Sequence, residues 1–186
     1  EIGVRCNDQA AAVIERIAQL APRLVVDTRV HARFEITDEA AVPRLEALLT
    51  AGKIQLLSLM DHTPGQGQFR EAAAFENYYR RVYGKDKAEV DEIIGRKLRA
   101  QEKAAARIER MIGLCRSLGV PLASHDDDSR EKVRWLRDRA VAISEFPVNM
   151  EALRAASDSG LHVCLGAPNV LRGASQGGNL SARKAI

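Results

Sequence analysis

What this chain can fold into is constrained most by one feature: β-type and helix-type apolar patterns alternate along it, and no hairpin signal interrupts them. After a first helical pattern in DQAAAVIERIAQLA, closed by Pro22, comes RLVVDTRVHARFEI, from Arg23 to Ile36. This stretch is β-branched and alternating, with Val26, Val30, Phe34 and Ile36 on one face and Asp27, Arg29, His31, Arg33 and Glu35 on the other. A helical stretch ending at Gly52 leads into a second strand, KIQLLSLMDH. Helical patterns then run from Phe69 to Gly84 and, as one long helix, from Glu89 to Gly119. The third strand is VPLASHD, and Asp128 with Glu131 resembles a capping box opening the next helix. AVAISEF and LHVCLGAP supply the fourth and fifth strands, separated by a helix that Asn149 caps, and the closing NLSARKAI begins another helix. Such alternation predicts an α/β fold: one domain over residues 1–186, with a parallel sheet and crossover helices.

Each strand changes character where it ends. Apolar residues give way to Glu35, then Asp61 and His62, then His125 and Asp126, then Glu145, and finally Asn169. Ligands of parallel α/β folds bind at those ends. An open, doubly wound sheet concentrates its site at one crevice, whereas contributions from five successive strands favour a barrel. The polar row Arg29, His31, Arg33 and Glu35 points the same way, because inward-facing charge is costly unless it pairs or binds an ion. Histidine with carboxylate suits zinc, manganese or iron, and a divalent ion can activate water for hydrolysis. For Glu145 a pairing with arginine competes with a catalytic role. Asp127 and Asp128 read as a helix N-terminus, and His162 as structural or solvated.

Composition excludes several classes. With 46% hydrophobic and 28% charged residues the chain is ordinary globular material, and its formal net charge of +3 comes from bases interleaved with acids. Four phenylalanines, three tyrosines and one tryptophan, scattered, make no stacking platform, so nucleic acid is not expected. No stretch approaches the roughly 20 apolar residues that span a bilayer, and the first residues lack signal-peptide character. Cys6, Cys115 and Cys164 form no pair at metal or redox spacing. A cytoplasmic setting without membrane contact is the expectation.

The motifs SLMDHTPGQGQF, ASHDD, ISEFP and GAPNVLRGASQGGN, in that order after HARFE, resemble the α-D-ribose 1-methylphosphonate 5-triphosphate diphosphatases of phosphonate metabolism (the carbon-phosphorus lyase pathway). The resemblance covers essentially the whole chain and implies the amidohydrolase superfamily of metal-dependent (β/α)8 (TIM) barrels. It also implies hydrolysis of a ribose 5-triphosphate to a 5-phosphate and pyrophosphate. By motif, Glu35 looks like a metal-binding carboxylate, His62 and His125 like imidazole ligands of a divalent metal, zinc first, and His31 joins them. Asp61, Asp126 and Glu145 become acid–base candidates. Arg33, Arg70 and Arg172, with Gln66, Gln68, Asn169 and Ser175, become phosphate contacts, since guanidinium groups grip phosphate oxygens in pairs.

Members of that superfamily carry His-x-His or His-x-Asp on the first strand and an Asp on the last, and this sequence has neither. With about five strands of a barrel's eight, the expectation is a central piece of the barrel, weakly active or inactive, that self-associates through its open edges. Two alternatives stay open: another amidohydrolase reaction, deamination or cyclic-amide hydrolysis, and a non-catalytic fragment that binds metal or phosphate.

Overall fold

The computed structural model describes residues 6–69, 71–175 and 179–186. Five strands form one sheet in the order β1 (His31–Glu35), β2 (Leu56–Met60), β3 (Leu122–His125), β4 (Ile143–Glu145) and β5 (His162–Cys164). Every neighbouring pair is parallel. Sequence order and spatial order coincide, so these strands contain no switch point. The fold is α/β, and an unreversed parallel order is what an arc of a β/α barrel has.

Register decides what each face carries. Arg33 lies beside Ser58, Glu35 beside Met60, and His125 beside Glu145, which puts polar side chains on one face. Ala32, Phe34, Leu57, Leu59 and Leu122 lie on the other, where they pack with Leu48 and Leu49 of α2 (Val42–Thr50). Met111, Ile112 and Cys115 of α5 (Ala104–Leu118), and Leu136 of α6 (Arg130–Arg137), complete that core. A second cluster joins Val133 of α6 to Ala152, Ala155 and Ala156 of α7 (Met150–Asp158). The helices α2, α5, α6 and α7 thus cover the apolar face. α1 (Asn7–Leu20) packs Ala11, Ile14 and Ile17 against the main core from outside the sheet.

Three expectations change. The first strand is five residues long and does not start at Arg23, because β2 begins opposite His31 and no strand lies beside residues 24–29; Val25 and Val26 are exposed. The long helix is two, α4 (Lys87–Gln101) and α5, with Lys103 leaving helical geometry between them at φ −102° and ψ 4°. Buried Arg107 fastens the break, donating to Ile36 O at 2.7 Å and to Ala100 O. The N-cap of α6 is Ser129, whose hydroxyl accepts from Lys132 N, while Asp127 is buried beneath the sheet with Ser124 and Ser144 donating to it. Among the described residues no helix is long and apolar enough to cross a membrane.

The break frees α4 from the outer layer. Together with α3 (Ala72–Tyr83) it forms a helical pair whose own core is Phe69, Phe75 and Val90, flanked by Tyr78, Tyr79, Ile93 and Ile94. Its contacts to Glu35, Asp61 and His62 set it over the strand ends. Phe75 is fully buried in this satellite core. Phe75→Ala should cost about 3–5 kcal/mol, and hydrogen exchange should accelerate across α3 and α4 while the β1–β4 amides stay protected.

Candidate metal centre

The site begins with a carboxylate taken out of water. Glu35, at the end of β1, accepts from His62 Nδ1 at 2.8 Å through Oε2. Its Oε1 accepts from the His62 backbone N–H at 3.2 Å, the Thr37 hydroxyl at 3.0 Å and Lys97 Nζ of α4 at 3.1 Å. Burial by itself would raise the Glu35 pKa, but the His62 hydrogen bond and the Lys97 charge outweigh it and hold it down to about 2. Burial likewise disfavours a charged His62, yet its contacts with Asp126 and Glu35 win and push that ring up to about 9. With Nδ1 committed to Glu35, Nε2 of His62 faces Asp126 Oδ2 at 3.7 Å.

Asp126 follows β3 in left-handed backbone, φ 53°, a conformation Asp tolerates better than most residues. That turn sends its carboxylate back between the rings of His62 and His125. Burial would raise its pKa, but the two neighbouring imidazoles keep it at about 2. His125 Nδ1 comes within 3.1 Å of Asp126 Oδ2, near enough to hold charge but poorly angled for a hydrogen bond. Both atoms are buried without a hydrogen-bonding partner. Buried polar atoms of that kind call for an ion or water.

The donor atoms of His62, His125 and Asp126 all lie within 4.8 Å of one another. Two imidazoles and a carboxylate are a donor set for zinc, manganese or iron. A divalent cation therefore fits the residues present, and Glu35 behind His62 is the outer carboxylate that metal-binding histidines usually have. Gly67 closes the site from the β2–α3 connection: its φ is 49°, and a Cβ there would meet Asp126 Cβ and O at 3.1 Å.

Other expected residues are placed differently. Glu35 sits beside the cluster, with both oxygens engaged by protein, as the partner that orients His62. His31 stands apart: Ser58 donates to Glu145 at 2.5 Å, so His31 Nε2–H donates to Ser58. Asp61 accepts from Thr63 N and Gln101, which ties the loop to α4. Asp126, expected in acid–base work, is among the donor atoms. Arg33 Nη2 donates to His125 Nε2 at 2.9 Å and Arg33 Nε to Met60 Sδ. Gln66 N–H and O bond to Thr63 and Phe69 within the turn. Asn169 joins Leu180 O to Ala182 N, and so ties α8 (Ala167–Arg172) to α9 (Ala182–Ala185). Arg172 is exposed at the end of α8, and Ser175 lies in the segment after it. Arg70 lies outside the described residues, as does the side chain of Gln68. His162 is exposed at the start of β5.

Lys97 and Thr37 were missed by sequence reasoning. Lys97 lies 62 residues from Glu35 in a charged helix, and nothing local marks it. Ser58, the one hydroxyl in LLSLM, was a readable signal. A cleft of about 690 Å³ lies between α1, β1 and the α3–α4 pair and reaches the cluster at His62; Arg29, Arg33, Glu35, Lys97 and Tyr78 also line it.

A one-sided parallel sheet with a histidine–carboxylate cluster at its strand ends defines an α/β protein with the layout of a metal site. The chain matches no protein-family model and no solved structure. It is a homologue of the α-D-ribose 1-methylphosphonate 5-triphosphate diphosphatase of Escherichia coli strain K12, 35% identical over 155 residues. That match takes in 83% of this chain, and the chain spans 41% of the relative's length.

Two outcomes follow for the metal-free protein. His62, raised from 6.5 to about 9, contributes stability that is complete below pH 6.5 and lost as pH rises through 9. Glu35 and Asp126, lowered from 4.5 and 3.8 to about 2, contribute stability present above those ordinary values and lost as pH falls through about 2. Urea midpoints should therefore be highest between about pH 4.5 and 6.5 and decline toward pH 9, and His62→Gln should flatten the alkaline decline. Gly67→Ala, strained by its φ and by contact with Asp126, should destabilise the fold by at least about 1 kcal/mol, read from urea unfolding, and weaken zinc binding measured by chelator competition.

Proposed function

We propose that this chain carries the metal and phosphate site of a hydrolase of the amidohydrolase type that cleaves a ribose 5-triphosphate to pyrophosphate and a 5-phosphate. One observation carries the reading: the donor atoms of His62, His125 and Asp126 gather at the strand ends, and His62 lines a cleft together with the cations Arg29, Arg33 and Lys97. The homology to a diphosphatase supports the same assignment. A divalent ion held by those residues supplies water activation and offsets phosphate charge. Glu35 keeps His62 in the orientation that ligation needs, and Lys97 keeps Glu35 ionised. Arg33 lines the cleft and its guanidinium suits phosphate oxygens, with Tyr78 of α3 and Lys97 of α4 forming part of the same wall. The cations favour a phosphorylated substrate over the neutral amides or bases of deaminases and cyclic amidases.

With zinc or manganese added, the chain should bind the metal and release pyrophosphate from a ribose 5-triphosphate only slowly, since it spans 41% of its relative's length, and chelation should abolish the release. His62→Ala should lower metal content together with turnover. Ammonia release from amide or amino substrates without pyrophosphate would replace the proposal with the deaminase reading. Tight metal binding with no turnover of any substrate would favour a binding role.

A further inference from the structure

The two histidines of the cluster are held in opposite states by their partners. His62 donates through Nδ1 to Glu35, so the atom it can offer a metal, on giving up its second ring proton, is Nε2, which faces Asp126. His125 is different, because Arg33 Nη2 lies 2.9 Å from its Nε2. A guanidinium has only donors and does not lose its proton in proteins. His125 Nε2 must therefore be the acceptor, which leaves the ring proton on Nδ1, 3.1 Å from Asp126 Oδ2. In that state neither nitrogen of His125 has a lone pair free for an ion. Arg33 occupies one, and a proton occupies the other.

We infer that Arg33 is a latch on His125: it competes with the metal for this ligand and is drawn off when an oxoanion enters the cleft, so that anion and metal bind with positive coupling. The inference rests on the metal reading above. Its support is local geometry. Arg33 is exposed along the inner face of β1 and lines the same cleft as Arg29 and Lys97, where a phosphate oxygen offers a guanidinium a stronger acceptor than a neutral imidazole does. When the guanidinium leaves, the ring proton can shift to Nε2 and Nδ1 becomes a ligand atom beside His62 Nε2 and Asp126 Oδ2. By linkage, whatever factor the anion adds to metal affinity the metal adds to anion affinity.

A role in merely holding His125 in place predicts the opposite sign on mutation, which makes the test sharp. Zinc affinity is measured by competition with a chromophoric chelator on the full chain and on Arg33→Met, each with and without sulfate as the oxoanion probe. A latch predicts zinc binding on the order of tenfold to a hundredfold tighter in Arg33→Met, the equivalent of one charge-assisted hydrogen bond. Sulfate should tighten zinc binding by the unmodified chain and leave Arg33→Met unchanged. Nitrogen-15 spectra of the metal-free chain should show the His125 proton on Nδ1, an arrangement lost in the variant. Weaker or equal zinc binding in Arg33→Met overturns the latch, as does a sulfate-insensitive unmodified chain, and that arm stands even if the variant does not fold. Absence of zinc binding in both proteins would instead overturn the metal reading itself.

Discussion

A carboxylate buried on the inner face of a sheet has to be compensated, and the arrangement around Glu35 is the compensation. Its partners come from the residue two positions on, from the end of the next strand and from a helix more than sixty residues away. Removing one member of such a set costs about 3–5 kcal/mol, since a charge is left unpaired out of water. The split between α4 and α5 belongs to the same requirement. A single straight helix would run along the outer layer, whereas the break at Lys103 turns α4 over the strand ends and delivers Lys97.

The contrast between His62 and His125 shows that residue type does not determine ligand readiness. A carboxylate behind one ring exposes its far nitrogen, while a guanidinium behind the other fills a nitrogen and fixes the remaining proton. His62 lies two residues past β2 and His125 is the last residue of β3, and both stand next to an aspartate. What separates them is the neighbour supplied by β1, Glu35 in one case and Arg33 in the other. The polar row of one strand thus sets the chemical state of two others.

Much of this was legible in the sequence. The alternation of strand and helix patterns gives the parallel order, and the change from apolar to polar at successive strand ends points to His62, His125 and Asp126. What was not legible depended on partners. Residues 24–29 alternate like a strand, but a strand needs a neighbour, and β2 starts too late to provide one. The helix break is set by Arg107 reaching Ile36 O and Ala100 O, a tertiary event inside a continuous helical pattern. Asn169 was expected among the phosphate contacts from the resemblance of its motif, and its side chain's tie between two short helices is a tertiary contact that no local pattern announces. Asp126 was recognised as important, but its place among the donor atoms depends on a left-handed backbone that no local pattern announces.

The register of the sheet also bears on how the chain reaches this state. The helices on the apolar face and the α3–α4 pair close mostly local contacts, which form early and at small entropic cost. The polar face is different: Glu35 meets His62 across 27 residues, Ser58 meets Glu145 across 87 and Arg33 meets His125 across 92. The first needs β1 beside β2, the third needs β1 through β3 in register, and the second needs β2 through β4. The histidine cluster therefore exists only where three strands lie in register, and its spectroscopic signature reports an assembled sheet where helical content reports local structure alone.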